Sequence, residues 1–129
     1  MAKAEGKIFQ FDSPKSIRTD FLETFSYKGE KQLVEYSTKE FSAVCPFSGL
    51  PDFAEVTVRY VPNKKCLELK SYKYYLISFR NVGIYQEDVT NRLFKDLKKA
   101  IQAKYLFVET VYNTRGGIDS KCQMEYGKK

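Results

Sequence analysis

The alternation of apolar and polar positions predicts four strands. The clearest is FAEVTVRYV at residues 53–61, which Pro62 and Asn63 end. One side of this strand has Ala54, Val56, Val58 and Tyr60. The other side has Phe53, Glu55, Thr57, Arg59 and Val61. Residues 31–36 alternate more loosely and predict a strand before it. Residues 105–112 and 119–126 predict two later strands joined by NTRGG.

Two segments between these strands have the spacing of helices. In residues 67–79 the apolar positions are Leu69, Tyr72, Leu76 and Phe79. In residues 87–103 they are Val89, Leu93, Leu97 and Ile101, with Phe94 beside them and Lys95, Lys98 and Lys99 on the outer side. The order of elements predicts an α+β fold in which two helices cover one face of an antiparallel sheet.

The chain length of 129 residues suits a single domain, 1–129. Residues 1–29 mix Gly, Ser, Pro and charges with scattered Phe, which predicts an N-terminal arm packed on the body of the domain. An antiparallel sheet of this kind has exposed edges, and small domains often cover such edges with copies of themselves. The sequence therefore predicts a homo-oligomer.

Composition restricts the chemistry. The 22 basic and 16 acidic residues give a net charge of +6, which favours anionic partners without identifying them. No apolar stretch resembles a membrane span or a signal peptide, so we expect a cytoplasmic protein without a membrane partner. The absence of histidine excludes every His-based triad, dyad and zinc site, and we expect no metal. Acid–base chemistry then requires Asp, Glu, Lys, Tyr or Cys.

The segment CPFSGLPD has a thiol and a carboxyl at the two ends of a stiff turn, Cys45 and Asp52. A cysteine is often a small buried apolar residue, and an aspartate after proline often caps a turn. The alternative is a nucleophile with a proton donor beside it, since loops on a rigid scaffold often carry reactive groups. Cys66 and Cys122 lack such a turn, and we interpret both as structural.

Two further segments are basic. In ELKSYKYY, Lys70 and Lys73 lie one helical turn apart. They are either solvated surface residues or residues that bind a phosphate. Arg115 and Gly116 in NTRGG belong either to a simple tight turn or to a phosphate-binding turn. In the second case the glycine lets the ligand come close to the backbone while the arginine binds its phosphate. Glu87 either complements the helix dipole or accepts hydrogen bonds from the N–H groups at the edge of a purine-like base.

Together these segments resemble one family. EFSAVCPFSGLPDFA, ELKSYKYY, SFRN followed by Glu87, and RGG occur in the family's order between about residues 40 and 126. They resemble the NADPH-dependent 7-cyano-7-deazaguanine reductases, the QueF nitrile reductases of queuosine biosynthesis, in their single-module form. ELKSYKYY satisfies the family signature at every position.

The resemblance implies a tunnelling fold (T-fold), in which subunits join their sheets into ring-shaped barrels with sites between subunits. It implies that the free nitrile base is reduced to 7-aminomethyl-7-deazaguanine with two NADPH, with no direct nucleic-acid partner. Cys45 would attack the nitrile carbon and Asp52 would protonate the nitrogen. The base would contact Glu87, Leu67, Glu68 and Leu69, and NADPH would contact Lys70, Lys73, Arg115 and Gly116.

The sequence departs from this family at Gln86, where many members have histidine, and those members often have histidine at the position of Val82. Glutamine can still hydrogen-bond a base edge, but it cannot shuttle protons near neutral pH. Two other functions stay open. A QueF-like amidinotransferase uses the same cysteine and aspartate on the nitrile in tRNA but lacks the NADPH signature. A non-catalytic RNA-binding module would use the basic surface and the tyrosines.

Overall fold

A computed structural model describes residues 2–129 of the chain. In chain order its elements are β1 (Thr24–Ser26), β2 (Val34–Val44), β3 (Pro51–Val61), β4 (Lys65–Leu67), α1 (Leu69–Ile77), α2 (Gln86–Ile101), β5 (Tyr105–Arg115) and β6 (Ile118–Gly127). The four long strands form an antiparallel sheet in the order β2–β3–β5–β6, and β1 pairs with β4 in a small separate sheet. The predicted α+β class and antiparallel sheet are confirmed.

The first of the four long strands, β2, begins later and extends further than the predicted segment 31–36. Residues 34–44 form one strand, which includes the end of KQLVEY and all of EFSAV. Between Thr38 and Phe41 the pairing with β3 shifts, because Thr38 lies opposite Val56 whereas Phe41 lies opposite Ala54. One extra residue therefore forms a bulge, which changes the side on which later side chains lie. The two halves of β2 consequently share no single alternation in the sequence.

The first helix begins later than predicted. Leu67 lies in β4, opposite Thr24, instead of in the helix. Glu68 is the N-cap, and its carboxylate accepts hydrogen bonds from the backbone N–H groups of Lys70 and Ser71, each at 2.9 Å. A residue that caps a helix in this way has extended backbone angles, so the helix begins at Leu69.

The core lies between the sheet and both helices. The side of β3 with Ala54, Val56, Val58 and Tyr60 is buried, and it packs with apolar side chains of both helices in one cluster. Members of that cluster include Ala54, Val56, Val58, Tyr60, Tyr72, Leu76, Leu93 and Leu97. The opposite face of the sheet has a smaller cluster of Val61, Tyr105 and Phe107. Both helices thus cover the same face, and they leave the other open.

The segment before β2 contacts the body at several points. Ile17 is buried in the main core, and Phe21 and Leu22 pack against it. The carboxylate of Asp96 on α2 accepts hydrogen bonds from the Thr19 hydroxyl at 3.1 Å, the Tyr75 hydroxyl at 2.7 Å and the Arg92 guanidinium at 2.8 Å. One acidic side chain therefore joins the N-terminal segment, α1 and α2.

Neither helix within residues 2–129 has the length and apolar character needed to cross a bilayer.

Candidate active site

Cys45 follows β2 directly, in the loop that connects β2 to β3. Its N–H donates to the carbonyl of Leu50 and its carbonyl accepts from the N–H of Gly49, both at 2.9 Å. Gly49 has a φ of +73°, a conformation that strongly favours glycine. Asp52 is the second residue of β3 and lies opposite Ala43, so the hairpin holds the thiol and the carboxyl near each other.

Two other segments fix this loop. The N–H of Val44 donates to the carbonyl of Val82 at 3.0 Å, and the N–H of Ile84 donates to the carbonyl of Val44 at 3.2 Å. The N–H of Phe9 donates to the carbonyl of Ser48 at 2.8 Å. A side chain at Gly49 would meet the Phe9 carbonyl oxygen at 2.2 Å. The loop that contains Cys45, residues 45–50, is thus packed from both sides.

The loop favours the thiolate form of Cys45. Backbone N–H groups of Ser48 and then Phe47 point at the sulfur and lower the pKa of the Cys45 thiol, against the opposing effects of burial and the Asp52 charge. The side chain is half-buried, so a ligand can approach it. A half-exposed thiol with a lowered pKa has the properties of a nucleophile rather than of a structural cysteine.

Arg115 lies beside Asp52. Its Nη1 atom is 3.9 Å from the Asp52 carboxylate, whose side chain is 19% exposed. Its guanidinium carbon is 4.7 Å from the centre of the Tyr112 ring. Gly116 and Gly117 follow with positive φ angles and form the tight turn between β5 and β6. Asn113 to Arg115 thus belong to β5, whereas the sequence predicts a longer connection.

Gln86, the first residue of α2, is buried beneath this turn. Its amide nitrogen donates to the carbonyls of Thr110 and Ser120, both at 3.2 Å. Its amide oxygen accepts from the Ser120 hydroxyl at 2.6 Å and from Arg115 at 3.1 Å. These partners are all within the protein, and a contact from Gln86 to a base stays a prediction. Its neighbour Glu87 is exposed at the start of α2.

Two residues near this end of the sheet were not predicted as part of a site. Tyr112 is buried, its hydroxyl has no hydrogen-bond partner among the described residues, and burial followed by the Asp52 charge raises its pKa. Burial also raises the pKa of Cys122, followed by the charge of Glu87. The alternation of β5 places Tyr112 on the core side, but nothing in the sequence indicates that its hydroxyl lacks a partner.

The other predicted residues lie at the far end of the sheet. Leu67 is buried, and its N–H donates to the Tyr60 hydroxyl at 3.0 Å. Asp52 and Tyr60 are eight residues apart on β3, about 26 Å at ~3.3 Å per residue. Glu68, Leu69, Lys70 and Lys73 follow Leu67 at the start of α1. Within a single chain, the predicted site residues therefore lie in two groups, one at each end of the sheet.

Lys70 and Lys73 are both exposed but open onto different hollows. Lys73 and Arg80 line a cleft of about 320 Å³ between α1 and β2, which Leu69 also lines. Lys70 lines a second hollow of about 420 Å³, with Glu23 and Glu68 among its walls. The first hollow has two cations and one carboxylate, that of Glu40, and it suits an anionic group better than the second, where Asp20, Glu23 and Glu68 surround the lysine.

Comparison with known proteins gives one consistent result. The family described as QueF-like protein matches residues 51–129. The NADPH-dependent 7-cyano-7-deazaguanine reductase of Thermotoga maritima is 52% identical over 125 residues, which cover 96% of this chain and 91% of the relative. A Caldicellulosiruptor bescii protein of the same name is 44% identical over 98% of each chain. The crystal structure of the apo archaeosine synthase QueF-Like matches with a TM-score of 0.69 and 28% identity, over 74% of this chain and 94% of that one.

Proposed function

The chain belongs to the family of QueF-like proteins, and from that membership we propose that it reduces 7-cyano-7-deazaguanine to 7-aminomethyl-7-deazaguanine with two NADPH. Both relatives described above are named NADPH-dependent 7-cyano-7-deazaguanine reductases. The observation that carries the proposal is the Cys45 thiol, which is half-exposed, has a lowered pKa and shares a hairpin with Asp52.

The reaction uses Cys45 and Asp52 together. The thiolate forms a bond to the nitrile carbon, one π bond of the nitrile breaks, and Asp52 gives its proton to the nitrogen, which yields a covalent thioimide. The C=N bond of a thioimide accepts hydride far more readily than a nitrile does. Two NADPH molecules would each supply one hydride to this carbon; between the two transfers the carbon–sulfur bond breaks and Cys45 leaves as the thiolate, and one further proton on the nitrogen completes the primary amine. Because the loop is already packed, it holds the thiol and the carboxyl in position, and no mobile segment has to become ordered when the substrate binds.

The remaining predicted residues bind the two ligands in this proposal. Glu87 accepts the N–H groups of the base, and Leu67, Glu68 and Leu69 line its pocket. Lys70, Lys73, Arg115 and Gly116 hold NADPH. Two observations support the cofactor role. Lys73 shares its cleft with a second cation, Arg80, against one carboxylate, that of Glu40, and no other atoms lie near the position that a side chain on Gly116 would occupy. A phosphate could therefore approach either group closely.

A second copy of the chain completes the site in this proposal, because the nucleophile and α1 lie at opposite ends of β3. The surface around the Cys45 loop supports such a contact, since several large apolar side chains there are about half exposed or more. They are Phe9, Phe47, Leu50, Phe53 and Tyr85. The long strands β2 and β6 form the two edges of the sheet. Pairing of these edges between copies would build the ring barrel of a T-fold.

The test is NADPH consumption with the free base. We expect the protein to oxidise two NADPH for each 7-cyano-7-deazaguanine, and to form a near-ultraviolet thioimide band that Cys45→Ala lacks. Asp52→Ala should still bind the base, while turnover falls by about a hundredfold or more because the proton donor is lost. Unchanged turnover in Asp52→Ala would remove Asp52 from the mechanism.

The amidinotransferase is the second candidate, because the fold also matches an archaeosine synthase. It predicts a thioimide without NADPH oxidation, and incorporation of ammonia into tRNA that carries the nitrile base. Salt-dependent tRNA binding that is unchanged in Cys45→Ala, with no thioimide, would instead indicate an RNA-binding module.

A further inference from the structure

Arg115 is held in one orientation by the protein. Its Nη2 atom donates to the amide oxygen of Gln86 at 3.1 Å and to the hydroxyl oxygen of Ser120 at 3.0 Å. The Ser120 hydroxyl also donates to the same amide oxygen, at 2.6 Å. A guanidinium that is anchored through one nitrogen has little freedom to turn the other away, so the position of Nη1 is also restricted.

The anchor itself is buried. Gln86 is only 4% exposed, and its amide nitrogen faces the carbonyls of Thr110 and Ser120. Since two carbonyl oxygens require a donor opposite them, the amide oxygen must face Arg115 and Ser120. Gln86, at the position where many family members have histidine, thus accepts a hydrogen bond from Arg115 in this chain.

The free side of the guanidinium faces Asp52. Nη1 is 3.9 Å from the carboxylate, and the guanidinium carbon is 4.7 Å from the Tyr112 ring centre. The Asp52 side chain is mostly buried and the aromatic ring excludes water from one side of the cation. The Arg115 side chain itself is 44% exposed, so solvent screens this pair in part, but less than it would screen a pair in which both side chains were fully exposed.

We propose that Arg115 is a positioning residue for thioimide formation, in addition to any contact with NADPH. Held by Gln86 and Ser120, it stabilises the carboxylate that remains on Asp52 after the proton has moved to the nitrile nitrogen. The sulfur–carbon bond forms, one π bond of the nitrile becomes the N–H bond, and the negative charge passes from the thiolate to Asp52, where the guanidinium meets it. The inference rests on the proposed function, since it concerns the same covalent step.

The experiment measures the rate of thioimide formation by rapid mixing with 7-cyano-7-deazaguanine, without NADPH. A purely cofactor-binding arginine has no effect on a step from which NADPH is absent. We expect Arg115→Met to slow the step about tenfold, Arg115→Lys to recover part of that loss through its charge, and Ser120→Ala to slow it about threefold by removing one anchor. Circular dichroism and size-exclusion chromatography establish that each variant is folded and assembled as the wild type is.

The chain offers a matched control. Arg59 also pairs with a carboxylate, that of Glu35, and also lies over an aromatic ring of β5, that of Phe107 at 4.9 Å. It lies on the opposite face of the sheet from Asp52. We expect Arg59→Met to form the thioimide at the wild-type rate, since the ion pair that it loses is hydrogen-bonded but lies away from the reaction.

The outcomes separate the two claims. If the wild type forms no thioimide, the proposed function fails. If the wild type forms it and Arg115→Met does so at the same rate, the role of Arg115 at Asp52 is overturned, and a raised KM for NADPH alone would leave it a cofactor ligand. If Arg115→Met does not fold, Ser120→Ala decides: a wild-type rate in that variant overturns the inference, and a slower rate supports it.

Discussion

Two thiols of this chain, Cys45 and Cys122, have pKa values shifted in opposite directions. Backbone N–H groups of Ser48 and Phe47 lower the pKa of Cys45, whereas burial raises that of Cys122. We expect alkylation of Cys45 by iodoacetamide to become half-maximal at a lower pH than for an ordinary thiol, because only the thiolate reacts. Cys122 should reach half-maximal reactivity at a higher pH. Mass spectrometry of each peptide across a pH series measures both, and coincident profiles would contradict the assigned role of the loop.

Three tyrosine hydroxyls differ in their partners. Those of Tyr72 and Tyr112 are buried without a partner in the described residues, while that of Tyr60 accepts from the buried N–H of Leu67. We expect Tyr72→Phe and Tyr112→Phe to leave the free energy of unfolding unchanged or to raise it, because an unsatisfied polar atom is removed. Tyr60→Phe should lower it by about 1–3 kcal/mol, since the Leu67 N–H loses its acceptor. Urea unfolding distinguishes the two classes; equal losses in all three would contradict this account.

At the scale of elements, the conformation of the loop that contains Cys45 depends on Gly49. An alanine there would both adopt a strained φ of +73° and meet the Phe9 carbonyl oxygen at 2.2 Å. We expect Gly49→Ala to lower the melting temperature and to shift alkylation of Cys45 to higher pH, because the displaced loop no longer directs its N–H groups at the sulfur. Gly117→Ala is the matched control, since its φ is +76° but nothing lies within 4 Å. It should lose about 1 kcal/mol of stability from backbone strain and leave Cys45 unaffected.

Elements with one uninterrupted pattern could be predicted from the sequence, and the others could not. The α2 helix repeats its apolar residues every four positions, and the predicted span of 87–103 differs little from Gln86–Ile101. The β2 strand was only partly predicted because its bulge changes the alternation after Thr38. The β1–β4 pairing was not predicted, since three-residue strands have too few positions to show a pattern and depend on a distant partner.

The same limit applies to the candidate site. Cys45 and Asp52 could be placed together because a single hairpin links them within eight residues of sequence. The contact between Arg115 and Asp52, and the burial of Gln86 beneath the β5–β6 turn, join segments far apart in the chain. No spacing in the sequence encodes such contacts, because they follow from the pairing order of the strands. Charge and residue type indicated the candidates but not their partners.

At the scale of the whole molecule, the proposed site contains residues of two copies, and mixed variants test this. Cys45→Ala removes the nucleophile, and Lys73→Ala removes a predicted cofactor ligand at the other end of the sheet. We expect each variant alone to have little activity. Unfolding the two together and refolding them as a mixture should restore about a quarter of the wild-type activity, since random assembly makes that share of sites from two intact halves. No recovery in a correctly assembled mixture would place the whole site within one chain.

The carboxylate of Asp96 has a practical consequence for engineering this protein. Because Thr19, Tyr75 and Arg92 all donate to that one oxygen, a shortened version starting after Leu22 would lose a donor and the buried Ile17 together. An affinity tag added ahead of Ile8, which is 73% exposed, would leave this junction untouched. The contacts of Ile17 and Thr19 with the rest of the protein thus limit how far the chain can be shortened from its N-terminus without disturbing the packing of the two helices.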